Sequence, residues 1–333
     1  MNKERYAEID LLKGIGIVLM IMGHVPFGKN VIQVIYIFHM PLFFIMSGFL
    51  YRKKDNWVLA IEKWFKRLIL PYFIFSIMGY CLWFIEIKPT TVNQMIQPIK
   101  SIFWMNTDGM PINGAIWYLT ATFVVFLLYC IIDHWIKNEI AKGIFILTLT
   151  LIGFFFGKME IKLPFGSAVA LVGIGFFYSG ILLKKGYPYL LNNLKRSHLF
   201  CWGAIALCFV MFFLGYQNGH VSMRTETYGD NGFVFFVAAI VVTDVLLFMA
   251  RFFTDRFSDL FLLKWLEMVG RNSIVFLGLN ELVINVIASI LSKIGITSHI
   301  YIIITFILSC LVLSIIVKIL MKVKWTAQLF SLS

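Results

Sequence analysis

Charge is what this sequence has least of for its size. Only 14% of its 333 residues are charged, where a soluble globule uses roughly 25%. With 60% apolar side chains and a mean hydropathy of +0.86, a water-soluble fold is excluded, and most of the core must face lipid. Acidic residues are scarcer still: 17 against 29 basic ones, a net charge of +12. The basic side chains fall between apolar runs, where anionic headgroups lie, and line no soluble face, which argues against nucleic acid. The five cysteines, Cys81, Cys130, Cys201, Cys208 and Cys310, all sit inside apolar runs without metal-ligand spacing. They read as small buried hydrophobes, and no metal is expected. A soluble domain, an internal repeat and a low-complexity tract are lacking too, so residues 1–333 read as one membrane domain. The N-terminal segment carries Glu4, Glu8 and Asp10 and lacks a small-residue cleavage site; it is expected to be a first span, not a removable leader.

Long apolar runs are present instead. A span needs about 20 mostly apolar residues, and ten runs qualify: 8–25, 31–51, 68–86, 114–132, 140–157, 166–183, 198–216, 232–250, 272–292 and 299–321. The expected fold is an all-α polytopic bundle of about ten transmembrane helices. Of the 29 lysines and arginines, twenty lie in one alternate set of loops and seven in the other. That bias places both termini in the cytoplasm, and the expected location is the inner membrane. Residues 52–67 form the densest basic inner loop, and 256–271 read as an amphipathic helix on the inner surface. Residues 87–113, with Trp104, Asn106, Asp108 and Asn113, form a long outward loop expected to fold back on the membrane. Residues 217–231 form a polar outward loop containing Arg224.

Ionisable groups inside a span are costly and mark function by default. The first run carries three: Asp10, Lys13 and His24. At about 100° per residue, Lys13 lies roughly 20° from His24 around the axis and Asp10 roughly 40° away on the other side. The three share one stripe, with His24 about 16 Å above Lys13. The plainer alternative is an Asp10–Lys13 structural ion pair with His24 as a helix-end residue. His39 in the second run lies at a depth similar to His24, and two histidines there suit proton handling; a hydrogen-bonded structural His39 is the alternative. Pro41 should kink that helix. Later runs add Asp244, Asn280, Glu281 and Asn285. Glu281 and Asn285 lie one turn apart, lining a cavity or bridging helices. Bridging suits Asn285; Glu281 stays open.

Several strings resemble the acyltransferase-3 family: Arg5-x-x-x-Ile9-Asp10-x-x-Lys13-Gly14-Ile15 with Gly23-His24, then Phe38-His39-Met40-Pro41-Leu42-Phe43-Phe44 and Ser47-Gly48-Phe49-Leu50. Lys66-Arg67-Leu68 with Pro71-Tyr72, and Ile116-Trp117-Tyr118-Leu119, continue the match, with echoes at Phe177-Tyr178-Ser179-Gly180 and Tyr228-Gly229. The second-run strings resemble the branch of sugar and surface-polysaccharide O-acetyltransferases. Where many relatives carry a histidine after Gly270-Arg271-Asn272-Ser273-Ile274, this chain has Leu279-Asn280, so that histidine's role does not carry over. The resemblance implies an O-acyltransferase moving an acyl group, typically acetyl, from cytoplasmic acyl-coenzyme A to a hydroxyl of a sugar or surface glycan. His24 would be the general base or a transient acyl carrier, with Asp10, Lys13 and His39 beside it. Lys13, Ser47, Lys66 and Arg67 would hold the coenzyme A donor. Trp117, Tyr118, Arg224 and Glu281 would contact the acceptor. The competing reading is a transporter or flippase for glycan intermediates, whose usual signature of paired broken helices in repeated halves is absent.

Overall fold

In the computed structural model, residues 6–53, 56–104, 113–296, 299–330 and 332 are described. The first helix, α1 (Ala7–His24), is the axis of the bundle. It follows α2 (Lys29–Tyr36) and α3 (His39–Phe49) closely in space, and no residue of α1 is exposed. Among the described residues nine other helical runs are long and apolar enough to cross a membrane. Helix α1, which carries Glu8, Asp10 and Lys13 in only 18 residues, is the tenth run expected from the sequence and is not among these nine. A span this polar is stable only where protein, not lipid, surrounds it. Its neighbours are α3, α11 (Gly232–Phe257), α12 (Phe261–Arg271), α13 (Ser273–Lys293) and α14 (His299–Lys322). Glu8, only 1% exposed, accepts from the Tyr187 hydroxyl at 2.9 Å and pairs with Arg251 at 3.3 Å.

Four expectations change. The run 31–51 is not one helix: it breaks at Ile37–Phe38, between α2 and α3. Pro41 supplies the cause, since its ring clashes with the carbonyl four residues back, that of Ile37. The basic loop expected at 52–67 is helical from Trp57 onward. Asn56 caps α4 (Trp57–Trp64) through hydrogen bonds from Val58 N and Leu59 N, and a π segment, Phe65–Ile69, leads into α5 (Leu70–Ile87). The basic stretch after residue 183 likewise continues as helix in α9 (Ser167–Arg196). Cys81 is exposed on α5 rather than buried, which in a membrane bundle means facing lipid.

The remaining spans are α7 (Trp117–Trp135), α8 (Glu139–Lys158) and α10 (His198–Gln217). At the end of the bundle where α1 begins, buried Lys142 meets Asp133 and Glu139, both at 2.7 Å; Lys53 joins Asp133 and Lys185 joins Glu139. This network ties together α7, α8, α9 and the segment after α3. Within the long loop, α6 (Val92–Trp104) lies against α5, and the Tyr72 hydroxyl donates to the Ile102 carbonyl at 3.0 Å. Asn106 and Asp108 lie outside the described residues. The expected helix 256–271 is α12 with the end of α11, and α12 is wedged into the bundle, where Trp265 Nε1 donates to Ser314 Oγ at 3.0 Å.

Two helix pairs approach closely through reciprocal glycines. A Cβ on Gly14 of α1 would collide with the Leu266 carbonyl of α12, and one on Gly270 of α12 with the Asp10 carbonyl of α1. Likewise, Gly48 of α3 faces the Phe177 carbonyl of α9, and Gly180 of α9 faces the Ile45 carbonyl of α3. Small residues at such crossings let backbones touch and gain dispersion where lipid supplies no hydrophobic drive. Lys13 and Ser47 each directly precede one of these glycines, so the crossings fix the rotation of both side chains.

Candidate functional site

His24 closes α1 at the end of the bundle that carries a small hairpin, β1 (Val221–Ser222) paired with β2 (Thr227–Tyr228). Its Nδ1 lies 3.1 Å from Glu281 Oε1 on α13. The other carboxylate oxygen, Oε2, accepts the backbone N–H of Asn113 at 3.0 Å and that of Gly114. Those two amides begin the turn Gly114–Ile116 that starts α7, so a helix N-terminus holds the anion. Asn113 sits in the left-handed region at φ 102°, ψ 58°, which asparagine tolerates better than most residues. Its side-chain amide donates to the Gly278 carbonyl at 2.9 Å, one turn before Glu281. The carboxylate is therefore fixed from two elements before it meets the imidazole.

The polarity of that contact follows from chemistry. A carboxylate only accepts, so Nδ1 carries the proton, and in the neutral ring Nε2 then presents a lone pair. A histidine oriented through Nδ1 by a carboxylate has the arrangement that suits a general base. His24 keeps 23% of its side-chain surface and Glu281 15%, so both groups are partly accessible. Arg224, carried by the hairpin, overlies Gly114: a Cβ there would run into its guanidinium. The hairpin is ordered by Asn218, whose side chain donates to the Tyr228 carbonyl at 3.1 Å and accepts from Asn231 N at 2.8 Å. Burial in that hairpin pushes the Glu226 carboxyl above the usual glutamate range, with Lys162 opposing.

A second cluster lies about 16 Å lower on the same face of α1. Lys13 is within electrostatic reach of both Arg67 and Asp10. Arg67 comes from the π segment and is in turn near the Tyr118 hydroxyl, which lies 3.4 Å from Ser47 Oγ. Arg67 is exposed on the outer side of the π segment, although its guanidinium is crowded by protein atoms. Two cations held near each other at this depth repel, and an anion placed between them relieves the repulsion. The π turn matters here because the added residue per turn re-aims the side chains, a device frequent at functional sites.

The remaining expected residues lie elsewhere. Lys66, next to Arg67, points away and pairs with Glu62 at 2.6 Å on the exposed face of α4. Trp117 is buried against Phe44 and Tyr118. Tyr118, expected on the acceptor side, joins Ser47 and Arg67 instead. His39 donates from Nδ1 to the Ile35 carbonyl at 3.1 Å, which repairs the helix break and gives it a structural duty; it is still near enough to act electrostatically with His24. Asn285, expected to bridge helices, is exposed on α13. Asn280 is fully buried and donates to the Leu277 carbonyl. The pairing of Glu281 with His24 had no signal in the sequence, because 257 positions separate them and neither spacing nor periodicity links α1 to α13.

The chain is a multi-pass helical bundle whose first helix carries a carboxylate-paired histidine near one end and, about 16 Å lower, a lysine close to Arg67 and Asp10. The acyltransferase-3 family model, described as an acyltransferase domain, matches residues 6–321. The chain belongs to this family and is a membrane acyltransferase. No curated protein and no solved structure matches it.

Proposed function

We propose that the protein transfers an acyl group, acetyl in the simplest case, from cytoplasmic acyl-coenzyme A to a hydroxyl of a sugar or cell-surface glycan across the inner membrane. The observation that carries this reading is the His24–Glu281 pair, with Nδ1 committed to the carboxylate at 3.1 Å and Nε2 left to take a proton from an attacking hydroxyl. Both termini and the Lys13–Arg67 cluster then belong to the cytoplasmic half, in keeping with the basic-loop bias. In this reading Lys13 and Arg67, steadied by Asp10, attract the anionic donor, and the Ser47–Tyr118 contact shapes its channel. Glu281 holds His24 in the productive tautomer, so its place is with the base rather than with the acceptor.

In the reaction, the acceptor oxygen bonds to the thioester carbonyl carbon while its proton passes to His24 Nε2. Collapse of the tetrahedral intermediate breaks the carbon–sulfur bond, and the departing thiolate takes up that proton. Mass spectrometry of surface glycans from cells with and without the gene tests the proposal. Loss of an ester of defined mass in the deletion strain is the expected result. Identical ester content, with altered glycan export instead, would favour the transport alternative.

A further inference from the structure

The break between α2 and α3 places Tyr36 beside the end of α1 and the hairpin, and neither periodicity nor motif pointed to it. Its ring packs on Gly23, the residue before His24. A Cβ at Gly23 would stand 3.1 Å from Tyr36 Cε1 and 3.8 Å from its hydroxyl oxygen, so the absence of a side chain there lets the phenol lie along the end of α1. Two imidazoles flank the ring: His39 at 4.8 Å and 32°, and His220 of the hairpin at 6.3 Å and 38°. With His39 and His220 against the ring, little of it is left to stack on a sugar. The hydroxyl is the working end of the half-buried side chain. Glu281 and Arg224 are both close enough to act electrostatically on it, which places the phenol among the groups surrounding the base.

We propose that Tyr36 is a further catalytic residue, whose hydroxyl donates a hydrogen bond to the acyl carbonyl oxygen as that oxygen gains negative charge. This deepens, and rests on, the acyltransferase reading above. When the acceptor oxygen adds to the carbonyl carbon, the carbonyl electron pair moves onto oxygen and the acceptor proton goes to His24. The Tyr36 O–H and the Arg224 charge meet that oxyanion; when the carbonyl re-forms, the carbon–sulfur pair leaves with sulfur. A fixed donor of this kind acts on the transition state more than on the bound substrates.

Tyr36→Phe isolates the hydroxyl, because phenylalanine keeps the ring on Gly23 and between its two neighbours. Membranes bearing the wild type, Tyr36→Phe or His24→Ala are supplied with labelled acetyl-coenzyme A and with total surface glycan de-esterified by mild alkali. Thermal unfolding of each variant is measured in parallel. The expected result is a kcat lowered about 10²- to 10³-fold in Tyr36→Phe, with KM for donor and glycan within about twofold and unfolding unchanged. Wild-type kcat in Tyr36→Phe overturns this proposal alone. A raised glycan KM at normal kcat also overturns it, by assigning the hydroxyl to ground-state binding. No transfer by the wild type sinks the acyltransferase reading itself, and this proposal with it.

Discussion

The two polar clusters along α1 are built on different principles. At the hairpin end, Glu281 is bound by two backbone amides and His24 by Glu281, so each atom's place depends on the next. At the other end Lys13 acts through space on both Arg67 and Asp10, and a defined polar contact there is the long Ser47–Tyr118 pair at 3.4 Å. One end is geometry and the other is a field. Proton transfer fails when a donor and acceptor shift by an ångström, whereas attraction of an anion falls off slowly with distance. The hairpin end should thus be intolerant of even conservative changes, and the cationic end tolerant of changes that keep charge.

The largest effect is expected at His24. Removing a general base costs about 10² to 10⁴ in rate, so His24→Ala should abolish detectable acylation while acyl-coenzyme A binding stays near normal. Near-normal turnover would move the chemistry elsewhere. Next comes Arg67→Gln, which should raise the donor KM roughly 10- to 100-fold, the worth of one charge-assisted hydrogen bond, and flatten its salt dependence. Arg67→Lys should recover most of the loss, and Lys66→Gln, already paired with Glu62, should change KM less than about twofold. Equal effects of Lys66 and Arg67 would show that the π turn does not sort them.

Smaller changes probe the frame. Gly48→Ala places a methyl group against the Phe177 carbonyl, a backbone atom that cannot swing aside. Overpacking of this kind costs about 1–3 kcal/mol, readable as a lower unfolding temperature in detergent; an unchanged temperature would mean that α3 and α9 are free to separate. His39→Ala should have the least effect on turnover. It removes one hydrogen bond to Ile35, worth about 1 kcal/mol, and a loss of transfer equal to that of His24→Ala would make His39 a partner in the chemistry.

Much of the architecture was readable because lipid imposes it. Run lengths located the spans, and the stripe of Asp10, Lys13 and His24 correctly marked α1 as internal, since three ionisable groups could not face hydrocarbon. The packing of α6 against α5 had a hint in the apolar stretches of 92–104. What could not be read was anything decided by contact across the bundle. Glu281 looked like one of several polar residues in later spans until α13 was set beside α1. The basic character of 52–67 suggested a loop, because lysines and arginines mark headgroup depth whether the backbone is helical or not; Asn56 as a cap was the overlooked signal. Pro41 announced a kink but not that Tyr36 and His39 would be left on either side of it.

The account stands most directly on His24 and Glu281 acting as one unit, and a double-mutant cycle measures that. Acyl transfer from labelled acyl-coenzyme A is followed for His24→Ala, Glu281→Gln and the double variant, each normalised to folded protein. Residues that act as a unit are strongly non-additive. The predicted result is a double variant no slower, within about threefold, than His24→Ala alone, because a carboxylate with no imidazole to orient contributes nothing further. A double variant slowed by the full product of the two single losses would contradict the pairing and leave Glu281 with a separate role.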